Sequence, residues 1–133
     1  MLALSVQQPW AWAIMAGIKP VENRTWRTNY RGELVIQASL SVRRDQAARD
    51  QIATLGHVVP EELPRGVLLG TVELVDCIPS AEALARFGAA WVDIVPGGWC
   101  WIVRKPRLLR VPVPCKGKLN LFPVELLEGE LFA

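Results

Sequence analysis

The sequence predicts an α+β fold, a sheet of about five or six strands curled towards a barrel with short helices at its rim. Two observations carry that reading. Apolar residues alternate or run continuously at strand length in five or more places along the 133 residues. The helix-period segments between them are short, and Gly, Pro and Asn punctuate the boundaries.

Taken in order, LALSV at residues 2–6 is a short apolar strand, and Pro9 suits the first turn of a helix running to about Ala16. Gly17 closes that helix. A strand follows over Pro20 to Trp26, then a turn around Asn29 to Gly32, then GELVIQAS, which alternates as a strand does. RRDQAARDQIATLG reads as an exposed helix ended by Gly56, and VVPEELPRG as a loop. GVLLGTVELVDCIP is a long buried strand with Gly70 at a bulge or bend. AEALARFG is a short helix, and WVDIVPGG leads by a turn into WCWIVRKPRLLRVPVP, a strand whose prolines push its far end to an edge. CKGKLNLFPVELL supplies a loop and a last strand. There is no internal repeat, heptad run or linker, so one domain over 1–133 is expected.

Composition narrows the function classes. About half the residues are apolar and charge is near average, as in a globular chain. No window holds the ~18 continuous apolar residues of a membrane helix, and the N-terminus lacks the basic start and unbroken apolar run of a signal peptide. The expectation is a cytoplasmic protein with no membrane partner. The three cysteines, Cys77, Cys100 and Cys115, are isolated and odd in number, with neither CxxC spacing nor a His cluster. Neither a disulfide framework nor a metal site is expected, and no cofactor motif is present. The single histidine, His57, falls in a loop and reads as a surface residue.

Net charge is only +2, yet it is unevenly spread. Residues 19–49 and 101–133 are basic blocks on either side of an acidic middle. Brought together in space, the two would form a positive patch suited to phosphates.

The stretch KPVENRTWR, residues 19–27, is the sharpest local signal. On a strand, alternate side chains share a face, so Glu22, Arg24 and Trp26 point one way and Val21, Asn23 and Thr25 the other. Carboxylate, guanidinium and indole in a row make poor core material, because buried charges are costly unless paired. They suit a cleft, with Trp26 as a stacking surface and Lys19 at the mouth. The competing reading is an exposed strand face carrying a charge pair. Other candidates are Gln7, whose amide either meets a base edge or holds the turn before the helix, and Lys116 and Lys118, which flank Gly117 in a loop suited to phosphate. Trp10 is expected in the core and Trp12 more open, while Trp99 and Trp101 share a strand face as core or cleft wall.

Residues 5–39, SVQQPWAWAIMAGIKPVENRTWRTNYRGELVIQAS, resemble the N-terminal signature of the ASCH domain family, with its Q-P-W-A, G-x-K-x-x-E-x-R-x-W and R-G-x-L-x-I-H-A-S motifs. GVLLGTVELVDC, GGWCWIV and PCKGKLNLFPVE are similar to the family's later segments. The resemblance implies a PUA-like curled β-barrel and a cleft holding Lys19, Glu22 and Arg24. It implies an RNA or nucleotide-like ligand and leaves three activities open. The first is an RNA-binding module. The second is a ribonuclease for single-stranded RNA, with Glu22 as base and Lys19 or Arg24 as the cation at phosphate. The third is an amidohydrolase of an N4-acylated cytidine, whose branch of the family carries a Lys with a nucleophilic Thr three residues later. Here that position is Glu22, a poor substitute for an alcohol nucleophile. The family's I-H-A-S is IQAS in this chain, so Gln37 replaces a titrating histidine and stands as a ligand-binding candidate only.

Overall fold

Six strands form one mixed sheet in the order β2-β5-β4-β3-β1-β6, and three helices pack around it. The structure is a computed structural model and describes residues 1–126 and 132–133. The strands are β1 (Leu2–Val6), β2 (Val21–Arg24), β3 (Gly32–Ala38), β4 (Val67–Pro79), β5 (Trp99–Pro114) and β6 (Phe122–Pro123). The helices are α1 (Trp10–Met15), α2 (Asp45–Thr54) and α3 (Ser80–Phe87). These elements fall where the apolar patterning places them. The last segment of that pattern reaches Leu127, which lies outside the described residues.

Only β1 and β3 run parallel, in register from Leu2 opposite Leu34 to Val6 opposite Ala38. Every other pairing is antiparallel. The long pair β4 and β5 carries register shifts at Leu68/Gly70, Thr71/Glu73 and Leu74/Asp76. Each such bulge bends its strand and increases the local twist, which is what curls the sheet. Gly70 is required at the first of them, since a Cβ there would run into the Arg107 carbonyl oxygen.

The curl does not close into a barrel. β2, at one edge of the sheet, returns towards β1 near the other, and the gap between them stays open. The expected curled α+β architecture is present as an open sheet with a seam.

Alternation along the strands sorts the core into three clusters. Leu4 and Val6, Leu34 and Ile36, Leu74, and Trp101 and Val103 point into the curl, where Ala11 and Ile14 of α1 cap them. The residues between them face outward. Val21, Cys100 and Ile102 pack with Ile78, Ala83 and Val92 beneath α3, while Ala3, Val35 and Leu68 pack with Leu109 and Phe122. Burial on both faces explains why these strands read as near-continuous apolar runs. Trp101 is fully buried, the largest such side chain.

The segment 80–98 leaves the sheet between two paired strand ends, Pro79 opposite Trp99, and a bond from Ser80 N to Gly98 O closes its neck. It carries α3 and a loop that returns to the seam. Among the described residues no helix is long and apolar enough to cross a membrane.

Candidate functional site

The seam is a cleft of about 460 Å³, within the ~300–1,000 Å³ range of small-ligand pockets. One wall is β1, through Leu4, Ser5 and Val6, and the other is β2, through Glu22, Asn23 and Arg24. The parallel pairing of β1 and β3 sets their C-terminal ends side by side here, so the loops after both strands open onto the cleft.

A charged triad forms the floor. Lys19 Nζ donates to Glu22 Oε1 at 3.0 Å and to the Val21 carbonyl, and it lies 5.7 Å from the centre of the Trp10 ring. Arg24 Nη2 lies 2.9 Å from Glu22 Oε2 and donates across the seam to Ser5 O at 2.6 Å. Both Glu22 oxygens are therefore held. Burial on its own would raise the Glu22 pKa, but the charges and hydrogen bonds of Lys19 and Arg24 outweigh it and hold the carboxyl below its ordinary value. The local fold dictates this arrangement. Val21 is fixed in the core beneath α3, so its neighbours in sequence, Glu22 and Lys19, are carried under cover with it and must pair.

The donors and acceptors left over have one character. Lys19 has three N–H bonds and uses two, and Arg24 Nε is buried with no partner among the described residues. Each Glu22 oxygen already faces a cation, which neutralises its charge towards the cavity. The floor therefore presents donors and positive charge, which suits an acceptor-rich or anionic ligand.

Aromatic rings line the side walls. Trp26 is half-buried, with its ring edge-on to Trp101 at 4.7 Å, and its carbonyl accepts from Trp101 Nε1 at 3.2 Å. Trp10 and Trp91 meet edge to face at 6.4 Å on another side. Trp91 and Asp93 arrive from the 80–98 excursion and are clamped by one amide. Asn23 Nδ2 donates to Trp91 O at 3.0 Å, and Asp93 N donates to Asn23 Oδ1 at 3.0 Å.

The rim carries exposed cations on two sides, Arg44 at the start of α2 and Lys118 on the loop 115–120. Neither forms a salt bridge among the described residues. Gln7 is exposed at the cleft, while its neighbour Gln8 holds the turn, accepting from Trp12 N at 2.8 Å and donating to Pro64 O at 3.0 Å.

Of the residues singled out in the sequence, the cleft gathers Lys19, Glu22, Arg24, Trp26, Gln7 and Lys118. Lys19 is not at the mouth but on the floor, 4 % exposed, because the Val21 carbonyl and Glu22 draw it inward. Gln37 is fully buried outside the cleft lining, where its Nε2 donates to Cys115 O at 2.8 Å and so anchors the loop 115–120. Lys116 is exposed on that loop but does not line the cleft. Asn23 was assigned to the face opposite Glu22, yet it reaches the cleft beside Trp91.

Trp10, expected in the core, packs against it but is only half-buried and also lines the cleft, and Trp12 is half-buried as well. Trp91, Asp93 and Arg44 were missed, since they come from a loop or a helix end where no periodicity marks a face, and Gln51 because it lies on the exposed face of α2. His57, read as surface, is half-buried and tilts against Trp91 at 5.9 Å. Among the described residues no group of three or more His, Cys, Asp or Glu could hold a metal ion.

Comparison with known proteins identifies the family and the fold. The model of the ASCH domain family matches residues 4–94. Activating signal cointegrator 1 of Homo sapiens is 34% identical over 128 residues, which cover 92% of this chain and 22% of that protein. The Mus musculus protein of the same name is 33% identical with the same coverage, so the chain spans about a fifth of the length of these curated relatives. Among solved structures, ASCH from Zymomonas mobilis superposes with a TM-score of 0.59 at 14% identity, covering 97% of this chain and 89% of that one. A point mutant of it gives 0.59 at 14%, with 97% and 91% covered. At that identity the likeness is one of fold, the PUA-like α+β arrangement.

Proposed function

The chain belongs to the ASCH domain family, and on that premise we propose that it is an RNA-binding module which receives one nucleotide in the seam between β1 and β2. The observation that supports binding over catalysis is the state of Glu22. Both of its oxygens are engaged by Lys19 and Arg24, and its pKa is held below the ordinary value. An efficient general base has a free lone pair and a pKa near the working pH. Glu22 lacks the second, and with a cation on each oxygen it serves instead to hold Lys19 and Arg24 in place. A nucleotide complements the rest of the cleft. Base carbonyls or phosphate oxygens accept from Lys19 and Arg24, the ring lies among Trp10, Trp26 and Trp91, and the flanking phosphates meet Arg44 and Lys118. The amidohydrolase reading is disfavoured because the position that needs a hydroxyl nucleophile carries a carboxylate paired with Lys19 and Arg24.

Incubating the protein with labelled single-stranded RNA, and separately with N4-acetylcytidine, tests this directly. The expected result is a salt-sensitive shift of intact RNA and no release of cytidine. Absence of RNA binding at low salt would overturn the proposal, and fragments or free cytidine would show it to be incomplete.

A further inference from the structure

The loop 115–120 carries a residue that the cleft itself does not explain. Leu119 is 90% exposed at the cleft rim, between Lys118 and Asn120. Isolated exposed apolar side chains are ordinary on protein surfaces. This one differs in how firmly it is presented. Lys118 N donates to Ser5 Oγ at 3.3 Å, and Gln37 Nε2 holds the Cys115 carbonyl. Gly117 lies so close to Ser5 Oγ and Gln37 Oε1 that a Cβ there would approach them to 2.7 and 2.9 Å. Asn120, at φ 60°, turns the chain immediately after the leucine. The loop is thus tied to β1 and β3 on one side, with an aliphatic side chain left standing in solvent at the tip.

Resting on the nucleotide-binding reading above, we propose that Leu119 is a wedge, and that the RNA taken by the cleft is a base-paired stem from which one nucleotide is everted. A cleft lined on several sides admits a base only after it has left its stack, at a cost of a few kcal/mol that is lowest at mismatches. Aliphatic side chains inserted at a base step offset part of that cost by covering the unstacked faces. The residue type favours a stem over a free strand. Platforms for single strands use rings, whose π-faces stack on any base, and leucine has none. Lys118, next in sequence and at the same rim, is placed for the phosphate that flanks the opened step.

The experiment uses an RNA hairpin carrying 2-aminopurine beside a mismatch in its stem, together with a single strand of the same sequence. Both are titrated with the wild-type chain, Leu119→Ala, Leu119→Met and Lys19→Met. The wild type is expected to raise 2-aminopurine fluorescence in the hairpin. Leu119→Ala should lower hairpin affinity by roughly tenfold and abolish the fluorescence gain, while single-strand affinity stays within about twofold. Leu119→Met, similar in volume, should retain both, and Lys19→Met should weaken both RNAs alike. If Leu119→Ala weakens the two RNAs equally, or neither, the wedge is wrong. Wild-type binding to the single strand alone would refute the wedge and leave the nucleotide site standing. Binding to neither would refute both.

Discussion

The Arg24 guanidinium donates to the Ser5 carbonyl at 2.6 Å, and so ties β2 to β1 across the one place where the curled sheet does not close. The same nitrogen lies 2.9 Å from Glu22. One side chain therefore does two things: it fixes the width of the seam and hands a positive charge to the cavity within it. Loss of Arg24 would alter the shape of the cleft as well as its charge.

Glu22 makes an acid-side prediction. Its folded pKa lies below the unfolded value near 4.5, so its contribution to stability is complete above that value and is lost as pH falls through the lowered one. Glu22→Gln resembles the protonated carboxyl. At pH 7 it should be about 3 kcal/mol less stable than the wild type in urea, the scale for breaking a buried ion pair. The gap should narrow steadily below pH 4.5. A gap unchanged at low pH would mean that the triad does not hold its charge in the folded state.

Salt should separate the rim residues. Single-strand affinity falls with salt at a log–log slope of roughly 0.7 per phosphate contacted. Arg44→Ala and Lys118→Ala should each remove about one contact from the slope. Lys116→Ala should leave it unchanged, because Lys116 does not line the cleft.

Asn23 should behave as a positioning residue for Trp91. Asn23→Ala removes the hydrogen bonds to Trp91 O and Asp93 N, at a cost of about 1–2 kcal/mol in stability. Amide exchange at Asp93 should accelerate, and RNA affinity should fall although Asn23 need not touch the ligand. Asn23→Asp keeps the acceptor for Asp93 N and loses the donor to Trp91 O, so it should recover the exchange protection but not the affinity. Equal behaviour of the two variants in both assays would argue against the clamp.

Much of this architecture was legible in the sequence because its main signal is alternation. Leu34 and Ile36 against Val35, or Trp101 against Cys100 and Ile102, are assigned to faces by position alone, and the structure keeps those faces. The same rule found Glu22 and Arg24. It could not give depth: Lys19 lies on the floor because of a carbonyl and a carboxylate that its own position in the chain does not reveal. Nor could it find Trp91, which reaches the cleft through a non-periodic loop held by Asn23. Gln37 shows a further limit, since a strand pattern cannot distinguish a buried amide that anchors a loop from one that faces a ligand.

The central claim is that Glu22 holds Lys19 and Arg24 for binding and is not a base. Measuring RNA affinity and RNA cleavage together, for the wild type and for folded Glu22→Gln, tests it most directly. The account predicts that pure wild-type protein leaves RNA intact, and that the substitution lowers affinity by about tenfold or more as the two cations lose their anchor. The contrary result is wild-type cleavage that falls by ~10²–10⁴-fold in Glu22→Gln while affinity is preserved, the signature of a positioned general base.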